Sequence, residues 1–135
     1  MSNQSIQIGV IGTGGMGGRH IHNLAIHVAN ANVVAIMDLD EHRLSKLKSE
    51  YGIAKTFTDA HALISDPEVQ AVVIASPDKT HAELTLACLE ASKPVLCEKP
   101  LAANAKDAKR VFQTEVAKGQ RLMQVIQNAD PTECP

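Results

Sequence analysis

The chain has 135 residues, a hydrophobic content of 44%, a charged content of 21% and a formal net charge of -2, as expected of one globular domain burying about two-thirds of its unfolded surface. So even a balance, with only Tyr51, Phe57 and Phe112 aromatic, argues against a nucleic-acid surface or a base-stacking platform. No stretch approaches the roughly 18 apolar residues of a membrane span, and MSNQSIQIGV lacks the pattern of a secretory leader. Cys88, Cys97 and Cys134 are odd in number and without C-x-x-C spacing, so neither a disulfide framework nor a zinc site is indicated, and a reduced cytoplasmic setting is expected.

Apolar Ile6, Ile8, Val10 and Ile11 read as a buried strand. Gly12, Gly14 and Gly17 then supply G-x-G-x-x-G, and Ile21, Leu24, Ala25 and Val28 fall at i, i+3, i+4, i+7 as one helical face. In that order the three parts make a phosphate cradle. Gly12 permits the tight turn, Gly14 lets the backbone approach a pyrophosphate, Gly17 lets helix and strand pack closely, and the N–H groups of the helix start face the anion. Taken alone, the glycines also fit a plain strand-to-helix turn. Val33 to Met37 is a short apolar run of the kind buried on both faces in a parallel sheet, and it ends in Asp38. Asp40 caps a helix with Leu44, Leu47 and Tyr51 on one side, which Gly52 stops. A weak strand around Lys55 to Phe57 and a short helix from Asp59 to Ile64 follow, broken at Asp66-Pro67.

The alternation then repeats. Ala71 to Ala75 is a buried strand closed by Ser76-Pro77, and Thr80 with Glu83 has capping-box spacing at the head of a helix to Ala91. Pro94 to Cys97 is a short strand ending at Glu98-Lys99-Pro100. Asn104 caps a helix carrying Ala105, Ala108, Phe112 and Val116, which Gly119 ends, and Arg121 to Ile126 is the last strand. Such alternation predicts an α/β fold with a doubly wound parallel sheet of order 3-2-1-4-5-6, a three-layer α/β/α arrangement over residues 1–126. Residues 127–135, polar and proline-bearing, read as an unstructured tail.

Asp38 sits roughly 20 residues beyond the glycine turn, where a carboxylate accepts the adenosine ribose hydroxyls and repels a 2′-phosphate, so NAD is expected over NADP. It also fits an aspartate that merely begins a turn with Asp40. Ligands of an open α/β sheet lie outside the carboxyl ends of the strands at the switch point, which brings Ser76-Pro77 toward the middle of such a cofactor and Lys99 toward its reacting end. The Lys99 ammonium could hold a hydroxyl and stabilise an alkoxide, or serve as a base if burial or a cation lowers its pKa. Composition alone also fits Glu98-Lys99 as a solvated surface pair. His20 and His22, two apart, do not face each other on a helix, which disfavours a metal pair. His27, His42 and His61 read as surface residues. His81 begins a helix near the crevice, where a helix N-terminus favours the neutral ring. Cys97 reads as a small buried hydrophobe rather than a reactive thiol.

IGVIGTGGMG, His20, Asn23-Leu24, a strand ending in Asp38, DPEVQAVVIASPDKTHAEL and KPVLCEKPLA together resemble the Gfo/Idh/MocA family, from Ile6 to about Val125. The Glu-Lys-Pro motif is the more specific part. The resemblance implies an NAD(P)-binding Rossmann domain in which the turn Gly12, Thr13, Gly14, Gly15, Met16, Gly17 binds the pyrophosphate and Asp38 the ribose. It likewise implies that Ser76, Pro77, His81, Glu98, Lys99 and Pro100 surround the nicotinamide end, with Lys99 assisting catalysis and a Lys99–Pro100 bond that is cis in some members. The substrate class implied is a sugar or polyol such as an inositol, in a homo-oligomer. Where family members continue through a Gly-Phe-x-x-Arg type sequence into an antiparallel substrate domain with an Asp-x-x-x-His pair, this sequence reads Val125-Ile126-Gln127-Asn128-Ala129-Asp130-Pro131. The expectation is therefore the cofactor half of a dehydrogenase, inactive alone. Alternatives are a stand-alone nucleotide-binding or redox-sensing module, or a non-catalytic fragment that self-associates.

Overall fold

A computed structural model of the chain describes residues 5–100, 102, 104–119 and 122–124. The strands β1 (Ile6–Ile11), β2 (Ala31–Met37), β3 (Lys55–Phe57), β4 (Ala71–Ile74), β5 (Val95–Cys97) and β6 (Leu122–Gln124) form one sheet. Every pairing is parallel and the order is β3-β2-β1-β4-β5-β6, the doubly wound order expected. The outer ends of the expected last strand, Arg121 and Val125-Ile126, and the expected tail 127–135 lie outside the described residues.

Two helices, α1 (Gly15–His22) and α2 (Glu41–Tyr51), bury Ile21 and Leu44 against Val10, Val33, Ile36 and Val73 on one face. Three more, α3 (Ala60–Ser65), α4 (His81–Glu90) and α5 (Ala105–Lys118), cover the other through Leu63, Leu89 and Val111. Chain direction therefore switches face between β3 and β4, which opens a crevice between β1 and β4. Asp40 and Asn104 start their helices as expected, accepting from Arg43 N and Asp107 N, and Asp59, expected as the first residue of α3, caps it instead by accepting from His61 N. Gly52 and Gly119, in the left-handed region, end α2 and α5.

Four local expectations are corrected. After His22 the first helix widens into a π turn, Asn23–His27, so only Ile21 and Leu24 face the core while Ala25 and Val28 are exposed. A wider turn advances each residue by less than the α-helical angle, which rotates the later positions off the face. Ile6, at the rim of β1, is also exposed. On α5 the buried residue is Val111, whereas Phe112 and Val116 are 62% and 68% exposed. Finally, Thr80 makes no capping box: Asp78–Thr80 is a 3-10 turn, and the Thr80 hydroxyl donates to Pro77 O at 2.6 Å and lies 2.7 Å from Ser76 Oγ.

Candidate functional site

The glycine turn has the close backbone packing that its spacing predicts. Gly12 has a φ of +89°, and a Cβ there would lie 2.6 Å from Ser76 N. A Cβ on Gly17 would overlap the Gly12 carbonyl oxygen, so both positions are closed to any side chain. Gly14 is different: a Cβ there would find nothing nearer than Arg43 Nη1 at 3.9 Å. The turn packs backbone against backbone on its inner side and leaves open space on its outer side. Gly14 then begins α1 with no side-chain cap, and the exposed Gly15 and half-buried Met16 form its first turn.

Asp38 leaves the end of β2 and faces that turn. Its Oδ2 accepts from Thr13 N at 2.9 Å, from Thr13 Oγ1 at 2.7 Å and from Arg43 Nη1 at 3.4 Å, while Oδ1 accepts from Asp40 N at 3.0 Å. Partial burial pushes the carboxyl up. The Asp40 N–H, the Thr13 hydroxyl and N–H, and the Arg43 guanidinium outweigh that and hold it below its ordinary value. Thr13 itself is buried. The carboxylate is thus ionised and oriented by the cradle beside it.

A cleft of about 730 Å³ opens over this pair, bringing together Gly12, Gly14, Asp38, Ser76 and Pro77. Its walls also include Leu39, Arg43, His61 and Glu83, which the sequence reading did not select. Leu39 stands out only in the structure, where it is 80% exposed for a large apolar side chain. His61 offered no signal, because its place on the wall follows from α3 packing beside β1 and β2.

The Glu98-Lys99-Pro100 loop stands one strand over, at the end of β5. It is no solvated pair: Glu98 is 5% exposed, with Oε1 lying 3.4 Å from His20 Nε2, and only Lys99 and Pro100 are exposed. The Lys99–Pro100 bond is cis. His81 is buried rather than open to the cleft. Its Nδ1 lies 2.6 Å from Pro100 O and its Nε2 lies 2.7 Å from Ser76 O. His20 and His22 point apart, His22 to the Tyr51 hydroxyl at 2.9 Å, and the π turn sets the His27 ring 5.4 Å from that of His22. Among the described residues no three His, Cys, Asp or Glu gather as a metal site, and no described helix is long and apolar enough to cross a membrane. Burial pushes the Cys88 thiol up to about 12 and the Cys97 thiol up to about 11, so both are protonated, unreactive core residues.

This donor set fits a dinucleotide. It offers a side-chain-free helix start for phosphate, an oriented carboxylate for vicinal hydroxyls and a crevice at the switch point.

Comparison with known proteins points the same way. Residues 6–126 match the GFO_IDH_MocA model, described as an oxidoreductase family with an NAD-binding Rossmann fold. An inositol 2-dehydrogenase of Rubrobacter xylanophilus is 51% identical over 122 residues, which is 90% of this chain and 35% of the relative. A probable dehydrogenase from Thermotoga maritima superposes with a TM-score of 0.85 at 40% identity, over 88% of this chain and 35% of that one. The myo-inositol dehydrogenase of Lactobacillus casei, solved with NAD(H) and myo-inositol, gives 0.85 at 31% identity, over 90% of this chain and 36% of its own. This chain thus spans about a third of the length of the relatives it matches.

Proposed function

The chain belongs to the Gfo/Idh/MocA oxidoreductase family as its NAD-binding Rossmann fold, and from that premise we propose that it binds NAD(H) in the cleft between β1 and β4 as the cofactor half of a polyol dehydrogenase. In this reading the backbone from Gly12 through Thr13, Gly14, Gly15 and Met16 to Gly17 holds the pyrophosphate. Asp38 takes the adenosine ribose, and Ser76 and Pro77 line the way toward the reacting end. His81, Glu98 and Pro100 shape that end, and Lys99 presents its ammonium there. A nicotinamide held there would supply the acceptor for hydride from a secondary alcohol carbon. The exposed Lys99 ammonium would hold the alcohol oxygen and stabilise the alkoxide left when a general base takes the hydroxyl proton, a charge that is then spent in forming the carbonyl as hydride leaves the carbon. An inositol-like substrate is supported by the relatives in which this domain occurs.

The observation that carries the reading is Asp38, ionised and aimed by Thr13 of the glycine turn itself. The same carboxylate supports NAD over NADP. Arg43, the cation nearest to it, is shared between Asp38 Oδ2 at 3.4 Å and Asp40 Oδ2 at 3.8 Å, so its charge is already engaged rather than free for a 2′-phosphate. The test is a fluorescence titration of the chain with NADH and NADPH, beside Asp38→Ala. Loss of hydrogen bonds to an ionised group is expected to weaken NADH about tenfold to a hundredfold, with NADPH weak in the unaltered chain and improved in the variant. Tight NADPH binding indifferent to the substitution would remove Asp38 from the site. The chain alone is expected to bind NADH yet turn over inositol little, because proximity to a second set of groups supplies much of the rate.

A further inference from the structure

His81 is a buried titratable side chain with both ring nitrogens engaged, and its partners are unusual. It is 1% exposed, and each ring nitrogen meets a backbone carbonyl oxygen, Pro100 O at 2.6 Å and Ser76 O at 2.7 Å. A carbonyl can only accept. A neutral imidazole has one N–H and one bare lone pair, so it would satisfy one of these carbonyls and set a lone pair against the other. Only the ring with both protons donates to both, and the short separations suit charge-assisted bonds. His81 is the first residue of α4, directly after the 3-10 turn Asp78–Thr80, and its backbone N–H donates to Asp78 O.

The two carbonyls belong to different loops, and both loops lead to the proposed site. Ser76 abuts the phosphate cradle: its N lies where a Cβ on Gly12 would intrude, and Ala75 N donates to Ile11 O at 2.8 Å. Pro100 follows Lys99 directly. A continuous path therefore runs from the glycine turn through Ser76, the His81 ring and Pro100 to Lys99. The buried Glu98 of the second loop lies beside His20 of α1.

We propose that His81, held as a doubly protonated ring, is a positioning residue that clips the Lys99–Pro100 loop to the Ser76 loop and so sets Lys99 relative to the phosphate cradle. The proposal rests on the NAD(H) reading above for its ligand. Its structural half stands without that reading, and the experiment separates the two.

The first arm is nitrogen-detected NMR of the histidine-labelled chain without ligand, in which the buried ring is recognised by slow solvent exchange. Two protonated nitrogens are expected in that ring; one bare nitrogen overturns the proposal. The second arm compares NADH with ADP, which lacks everything beyond the β-phosphate, on the unaltered chain and on His81→Gln, whose amide donates through one end only. Losing one such tie is expected to weaken NADH about tenfold while leaving ADP within about twofold. Equal loss of both ligands, or no loss of either, overturns the proposal, because a merely structural histidine would not distinguish them. Should the unaltered chain bind neither ligand, the NAD(H) reading fails while the ring protons still decide the clip. The same measurement decides if His81→Gln does not fold.

Discussion

Each half of the sheet ends its second strand in a carboxylate, but the two carboxylates are held differently. β2 runs into Asp38 and β5 into Glu98. The donors to the Asp38 carboxylate, Thr13, Asp40 and Arg43, come from its own half. Glu98 instead lies beside His20 of the other half, 78 residues away in sequence, and its loop is tied through Pro100 to His81. The first half builds its site locally, from one glycine turn and the strand next to it. The second builds its site only when the assembled sheet brings α1, α4 and the β5 loop together. The proposed phosphate and ribose site can thus be written in one continuous stretch, whereas the proposed reacting end depends on long-range order.

Three changes test that contrast, in decreasing order of effect. Gly17→Ala strikes the local half at its closest approach. Its methyl would overlap the Gly12 carbonyl, and because backbone meets backbone no rotamer relieves it. A loss of at least about 3 kcal/mol, or failure to fold, is expected in urea denaturation. An unchanged midpoint would mean that α1 does not pack this closely on β1.

Acid titration tests the electrostatic hold on Asp38. Its carboxyl is depressed below the ordinary 3.8 in the folded chain, so the unfolded chain binds that proton first. The stabilising contribution is therefore full above about 3.8 and disappears as pH falls through the lower folded value. Denaturation midpoints followed from pH 6 downward are expected to lose this contribution only at the acid end. Asp38→Asn should lack that limb; a variant with the same acid profile as the unaltered chain would show that Thr13 and Asp40 do not stabilise the ionised group.

The smallest change separates two neighbours on α5. Val111→Ala removes fully buried methyls and should cost about 1–3 kcal/mol. Phe112→Ala, at a position 62% exposed, should stay within about 0.5 kcal/mol. Equal losses measured by thermal or urea unfolding would place Phe112 in a buried face.

Much of the first half was legible because its signals are backbone requirements. Gly12 and Gly17 sit where any Cβ would collide, and Asp40 starts α2 through its own side chain, as Asn104 does for α5 in the second half. Val33 to Ile36, apolar without interruption, had to be buried on both faces. Legibility failed where a side chain's neighbours lie far away in sequence. Phe112 and Val116 read as core because they are apolar, yet Val111 takes the buried position, since the angle at which α5 meets α4 decides which stripe faces inward. The π turn carried no periodic mark, and it moved Val28 outward. Arg43 and His61 gave no sign that they would line the cleft.

By itself the sequence determined the strand–helix alternation, the glycine cradle, the aspartate after β2 and the Glu-Lys-Pro loop, because spacing and steric permission are local properties of a chain. Only the tertiary structure decided that Glu98 lies buried beside His20 and that one imidazole meets two carbonyls from separate loops. Those relations depend on the order in which strands assemble and on the exclusion of water between their loops. Burial then leaves a polar group no partner but the one the fold supplies.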